Sequence, residues 1–202
     1  MDSDNNEEEN SIEVKAILLG DVFVGKTSLI NVSIGREFDP GEQATISSTF
    51  VQKKITIDNQ KYCINLWDTA GQEKLKSLTK LFFKGSKIVI FVYDITEKKT
   101  FINLKKWVEE VENTLDNNTY ISGIAGNKQD LYSQEQVNEE DAIEYANSKG
   151  MKFRLVSAKE DPKSFNDFIE ELVKDGKHLF EDKEKDKIKL KKEKKKKDKC
   201  NC

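Results

Sequence analysis

Histidine, proline and cysteine are scarce in this chain: one, two and three residues in 202. The single histidine, His178, leaves no basis for histidine-centred catalysis or a histidine metal site. Cys63, Cys200 and Cys202 are too few for a disulfide framework, and two of them stand at the very end of the sequence, where position matters more than redox chemistry. No run of 18 apolar residues occurs, so no membrane-spanning helix is expected. Residues 1–10 carry five acids and no base, whereas a secretory signal begins basic and then turns apolar. The chain is therefore expected to stay in the cytosol.

What the chain has in excess is charge. Charged residues make up 35%, against about a quarter in ordinary domains, yet the net is only −3. The mean conceals a separation. Residues 183–202 hold 11 lysines and 4 acids, and residues 1–182 hold 23 bases against 33 acids, so an acidic body carries a basic tail. Nucleic-acid surfaces need clustered Lys and Arg to neutralise phosphates. The body is thus excluded as one, and only the tail remains a candidate. A hydrophobic share of 36% and an aromatic share of 9% suffice for one core, not for two domains of ordinary size.

Along the chain, residues 12–19 read as a mostly apolar strand running into Gly20, and residues 26–34 as a helix. Residues 36–48 are a polar loop around Asp39-Pro40-Gly41. Residues 49–58 and 61–68 are rich in β-branched and aromatic side chains, and Asp58-Asn59 suits the tight reversal of a hairpin. Residues 87–93 form a continuous apolar run, as a buried central strand should. Phe101, Leu104, Trp107, Val108, Val111 and Leu115 then fall on one helical face. Strand 120–125, helix 138–149 closed by Gly150, strand 152–156 and helix 162–180 follow, the last with Phe165, Phe168, Ile169, Leu172 and Val173 inward. Such alternation predicts right-handed crossovers and a largely parallel sheet with helices on both faces, and it places ligands at the carboxyl ends of the strands.

Chemistry-bearing residues cluster at those ends. Gly20-Asp21-Val22-Phe23-Val24-Gly25-Lys26-Thr27, followed by Ser28, fits GxxxxGK[ST] between a strand and a helix. In that setting backbone N–H groups converge on phosphate oxygens, Lys26 reaches the terminal phosphates, and the Thr27 hydroxyl ligates Mg²⁺. Asp68-Thr69-Ala70-Gly71 ends the hairpin's second strand. Asp68 is suited to the magnesium shell there, and Gly71 lets a backbone N–H approach a γ-phosphate. Gln72 both donates and accepts hydrogen bonds, so it can orient an attacking water, although alone it reads as a solvated side chain. Asn127-Lys128-Gln129-Asp130 and Ser157-Ala158-Lys159 follow the next two strands. A carboxylate that accepts two N–H bonds suits guanine and not adenine, which makes Asp130 the base selector. Each motif alone is weak; their order and strand-end positions give them weight.

GDVFVGKTS, WDTAGQEK, NKQD and SAK in this order resemble the Ras superfamily of small GTPases over roughly residues 12–180, and within it the Rab family. Phe82-Phe-Lys-Gly-Ser86 and Val92-Tyr-Asp-Ile-Thr96 resemble the Rab pattern YYRGA…VYDIT, and Ile46-Ser-Ser-Thr-Phe50 resembles IGxxF. The resemblance implies an α/β fold of P-loop NTPase type, a three-layer sandwich whose six-stranded, mostly parallel sheet has one antiparallel edge strand. It implies domain bounds of 12–181, between an acidic disordered segment 1–11 and a disordered lysine-rich tail 182–202. It implies GTP or GDP with Mg²⁺ as ligands and a GTP/GDP switch on membranes in vesicle trafficking. Thr45, 19 residues after Lys26, falls on the threonine that ligates Mg²⁺ in the GTP state, and Phe38 on the aromatic that packs against guanine. Phe50, Trp67 and Phe82 fall on the triad that effectors read, with simple core packing as the alternative for the triad and most of all for Trp67.

Cys200-Asn-Cys202 resembles the double-geranylgeranyl signal of the Rab family, and no CaaX motif is present. Two prenyl chains give stable anchoring, and lysines beside anionic lipid add to it. The implied location is the cytoplasmic face of an intracellular membrane, with cycling to the cytosol. The implied partners are an exchange factor, an activating protein, a prenyl-binding dissociation inhibitor and effectors, bound by a monomer and with no nucleic acid. This sequence departs from the family at Ser47, at Lys74-Leu75 and, within the phosphate loop, at Val22 and Phe23, where small residues are usual. Val22 stands where a branched side chain would crowd the γ-phosphate. Two functions therefore stay open: a GTPase switch, slow in its own hydrolysis, and a hydrolysis-poor scaffold that stays GTP-bound.

Overall fold

The computed structural model describes residues 11–45, 49–69 and 82–199, with side chains as far as Phe180. Six strands form one sheet in the order β2-β3-β1-β4-β5-β6. They are β1 (Ile12–Leu19), β2 (Thr49–Ile57), β3 (Gln60–Asp68), β4 (Ile88–Asp94), β5 (Ile121–Asn127) and β6 (Lys152–Leu155). Every neighbouring pair is parallel except β2 with β3. The four described α-helices are α1 (Lys26–Ser33), α2 (Lys98–Glu112), α3 (Glu139–Ser148) and α4 (Pro162–Lys199). The hairpin between β2 and β3 turns on Asp58 and Asn59, both at positive φ (49° and 63°), which is what a two-residue reversal between twisted strands requires.

Side-chain alternation explains why the central strands read as unbroken apolar runs. Val14, Ala16 and Leu18 of β1 and Ile88, Ile90 and Val92 of β4 join one buried cluster with Leu29, Phe165, Phe168 and Leu172 from α1 and α4. Their alternates Ile17, Leu19, Val89, Phe91 and Tyr93 join a second cluster with Leu104, Val108, Ala142 and Ala146 from α2 and α3. All seven residues of β4 are buried, so neither face has room for the polar half of a half-exposed strand. The expected α/β three-layer architecture with one antiparallel edge is the observed one.

The helices depart from the sequence pattern at their ends. α2 stops at Glu112, short of Leu115, which still packs against the second cluster from the following turn. A 3₁₀ turn at Asn117–Thr119 and a kinked 3₁₀ segment at Gln129–Gln134 have no apolar period to announce them. In the first, the Asp116 carboxylate accepts from the Asn118 amide. α4 continues to Lys199, through residues expected to be without structure. Beyond Phe180 the sequence is mostly Lys and Glu, both good helix formers. No helix among the described residues is long and apolar enough to cross a membrane.

Candidate functional site

Parallel pairing of β1, β4, β5 and β6 brings their carboxyl ends to one edge, and the loops that leave β1, β5 and β6, with the segment after α1, line a cavity of about 450 Å³. From the first loop and α1 come Val22, Phe23, Gly25, Lys26, Thr27 and Ser28. Phe38 and Thr45 reach it from the segment after α1. Asn127, Lys128 and Asp130 follow β5, and Ala158 and Lys159 follow β6. Residues that no motif had flagged line it too: Asp39, Pro40, Glu42, Gln43, Ala44 and Leu131. All but Leu131, which follows Asp130, lie in a polar loop without a pattern, so nothing in the sequence distinguishes those from solvated surface.

The first loop is built to bring backbone close. A Cβ on Gly20 would stand 2.1 Å from the Val92 carbonyl oxygen, and one on Gly25 2.3 Å from Asn127 Nδ2. Neither position admits a side chain. Gly25 precedes α1 without a side-chain cap, so the first N–H groups of the helix have no hydroxyl or carboxylate of their own to satisfy them. Val24 is fully buried and does not line the cavity; its carbonyl accepts from Asn127 Nδ2 at 2.8 Å. Phe23 adopts φ 65°, a left-handed backbone that costs a non-glycine residue about 1–2 kcal/mol, and is 70% exposed. Asp21 also lies outside the cavity lining, its carboxylate turned toward α2.

Lys26 is buried, and its ammonium donates to the carbonyls of Gly20 (2.8 Å) and Asp21 (2.7 Å). Burial lowers its pKa from the usual 10.5 to about 8, against the opposing charges of Asp68 and Asp21. Next to it three oxygens converge. Thr27 Oγ1 donates to Asp68 Oδ2 at 2.7 Å, Thr45 Oγ1 to the same oxygen at 3.2 Å, and the two hydroxyls are 2.7 Å apart. Asp68 Oδ1 is buried and has no hydrogen-bond partner among the described residues. Burial pushes the Asp68 carboxyl above its ordinary pKa; the Thr27 hydrogen bond, the Lys26 charge and the Thr45 hydrogen bond oppose it.

At the other end of the cavity Asp130 Oδ1 accepts from Ser157 Oγ at 2.6 Å, which fixes the carboxylate from behind. Ser157 is itself buried and reaches the site only through that bond. Asn127 Oδ1 accepts from the Ala158 amide at 3.4 Å, and Lys128, at φ 67°, pairs with Asp94 at 2.5 Å. Phe50, Trp67 and Phe82 are not at the cavity. They form an aromatic row on the sheet's outer part, with ring centroids 5.1 and 6.1 Å apart and the Lys15 ammonium 4.8 Å from the Trp67 ring. Phe50 is 52% exposed, and Trp67 is half-buried against the second core cluster, so packing and exposure share the row. Gly71, Gln72, Cys200 and Cys202 lie outside the described residues.

Comparison with known proteins gives the same placement. The model of the Ras family matches residues 15–177. Ras-related protein Rab-22A of Homo sapiens is 41% identical over 147 residues, covering 73% of this chain and 75% of the relative. Ras-related protein Rab5 of Nicotiana tabacum is 34% identical over 165 residues, 82% of each chain. Ras-related protein Rab5A of Oryza sativa subsp. japonica is 37% identical over 160 residues, 79% of this chain and 78% of the relative.

The buried ammonium makes a prediction about the ligand-free protein. Between pH about 8 and 10.5 the unfolded chain holds a proton on Lys26 that the folded chain has released. Stability should therefore rise with pH through that window, and the folded state bears the full penalty below it. Thermal unfolding from pH 7.5 to 10.5 should give a rising component that Lys26→Met removes. An identical pH slope in both proteins would contradict the buried, depressed ammonium.

Proposed function

Since the chain belongs to the Ras family of small GTPases, in its Rab branch, and is thereby a GTPase that binds guanine nucleotide, we propose a division of labour among its own residues. Lys26 and the N–H groups from Val22 to Ser28 take the phosphates. Asp130 takes the N1–H and exocyclic amine of guanine, held in place by Ser157, while Asn127, Lys128, Ala158 and Lys159 wall the base and Phe38 covers its edge. The observation that carries this reading is the convergence of Lys26, Thr27, Asn127 and Asp130 on one cavity.

Thr27, Thr45 and Asp68 fit a magnesium ion. They offer hard oxygen donors, and the buried, unpartnered Asp68 Oδ1 is the kind of atom a cation would satisfy. When bound, Mg²⁺ would supply neutralising charge to the phosphates. Asp68 would keep its carboxylate ionised beside Lys26, and Thr45 would tie the segment after α1 to the phosphate end, so that loss of the γ-phosphate frees that segment. Gln72 and Gly71 would orient the attacking water and approach the γ-phosphate. Phosphoryl transfer relies mainly on such positioning and charge stabilisation.

In the trafficking role of the Rab family, we place this chain on the cytoplasmic face of a membrane. Cys200 and Cys202 would carry prenyl groups, and the lysine run beside them would favour anionic lipid. Exchange factor, activating protein, dissociation inhibitor and effectors are the corresponding partners, with Phe50, Trp67 and Phe82 as the effector surface. Mass spectrometry of the native chain should find both thiols prenylated; finding neither would remove the anchor.

Two measurements test the catalytic assignment. Asp130→Asn exchanges an acceptor oxygen for a donor and removes a charge-assisted bond of about 1.5–3 kcal/mol, so GTP affinity should fall at least about tenfold while xanthine nucleotide gains. Undiminished GTP affinity would overturn the base assignment. Val22 lines the cavity beside Lys26, and its branched side chain should hinder both the ordered water and any inserted arginine, which is worth about 10³–10⁵ in rate. Phosphate release should therefore be slow, weakly stimulated by an activating protein, and faster under stimulation in Val22→Gly. Fast stimulated turnover that Val22→Gly leaves unchanged would refute the steric argument.

A further inference from the structure

The phosphate loop makes one contact that the nucleotide chemistry does not use. Asp21 Oδ2 accepts from Asn103 Nδ2 at 2.7 Å, and Asp21 Oδ1 lies 3.5 Å from Trp107 Nε1, the second a long and weak bond. Asn103 and Trp107 stand four residues apart on α2, so their donors face the same way. All three residues are half-buried, and none lines the cavity. Sequence pattern alone gave no hint of this contact, since its partners are 82 and 86 residues apart.

A carboxylate at the mouth of a phosphate site needs such restraint. The main-chain carbonyl of Asp21 already accepts from Lys26 at 2.7 Å, and the Asp21 charge acts on that ammonium. Were the carboxylate to rotate inward, it would pair with Lys26 and oppose the phosphates, since like charges at close range repel. Asn103 supplies an uncharged donor that holds it outward without adding a cation to compete for phosphate. The same bond anchors the loop two residues before Phe23, whose left-handed backbone persists only where its surroundings hold it.

We propose that Asn103, assisted by Trp107, is a positioning residue for the phosphate loop: by holding the Asp21 carboxylate against α2 it prevents that carboxylate from pairing directly with the Lys26 ammonium and prolongs nucleotide residence. The inference rests on the placement of the phosphates at Lys26.

The test uses the full chain loaded with a fluorescent GDP in Mg²⁺ and chased with excess GDP. Asn103→Asp sets two carboxylates against each other and should speed release by about tenfold or more, the equivalent of one broken charged bond. Asn103→Ala should speed it less. The exchange Asp21→Asn with Asn103→Asp restores a donor and an acceptor in reversed order, and should return the release rate to within about threefold of the wild type, a coupling that independent sites would not show. Thermal unfolding of the nucleotide-free variants accompanies the assay, since a merely structural role for Asn103 would lower the midpoint without rescue by the exchange. Release from Asn103→Asp within about twofold of wild type, or a double variant no slower than the single, would overturn the proposal. A wild-type chain that fails to retain the labelled GDP would overturn the phosphate placement and the tether with it.

Discussion

The site depends on one buried amide. Asn127 is 2% exposed, donates to the Val24 carbonyl 103 residues away, and accepts from the Ala158 amide. A buried polar group stripped of its partner costs about 1–3 kcal/mol, so this side chain fixes the phosphate loop relative to the loops after β5 and β6. It also explains Gly25, because its amide nitrogen fills the space a Cβ would need. The parallel sheet makes the bridge possible by ending β1, β4 and β5 at the same edge. The two apolar clusters on either face hold those strands in register, and the loops inherit their precision from the strands beneath them.

Against that rigid frame, the phosphate loop of this chain is unusually bulky. Val22 and Phe23 occupy positions on the cavity wall, and Phe23 does so in a backbone conformation that glycine adopts without strain. The loop keeps its shape because it is held at both ends. Asp21 is bonded to α2 and Val24 to Asn127, with Lys26 donating back to the carbonyls of Gly20 and Asp21. The geometry that would grip phosphate and the geometry that would admit a water or an arginine are thus separable. In the proposed function, binding would draw on backbone and Lys26, whereas turnover would also have to accommodate the side chain at 22.

Much of the fold was legible in the sequence because the signals were redundant. β1 was bounded by its apolar run and by Gly20, the hairpin by Asp58-Asn59, and the central strand by the continuous apolar run of residues 87–93. Strand-end motifs located most of the cavity for the same reason: topology and residue type agreed. What escaped were features set by contact rather than by period. The 3₁₀ turns, the cavity wall from Asp39 to Ala44, and the bonds from Asn103 and Trp107 to Asp21 carry no local pattern. The length of α4 escaped for a different reason, since helix propensity without an apolar face reads as a solvated charge run.

The central claim is that this frame grips guanine nucleotide through Lys26 at the phosphates and Asp130 at the base. Native mass spectrometry of the full chain, purified in the presence of Mg²⁺, addresses it most directly. The account predicts one guanine nucleotide per chain and no retained adenine nucleotide, even after incubation with excess ATP. Equal retention of adenine nucleotide, or a chain that stays empty after loading with GDP, would contradict it.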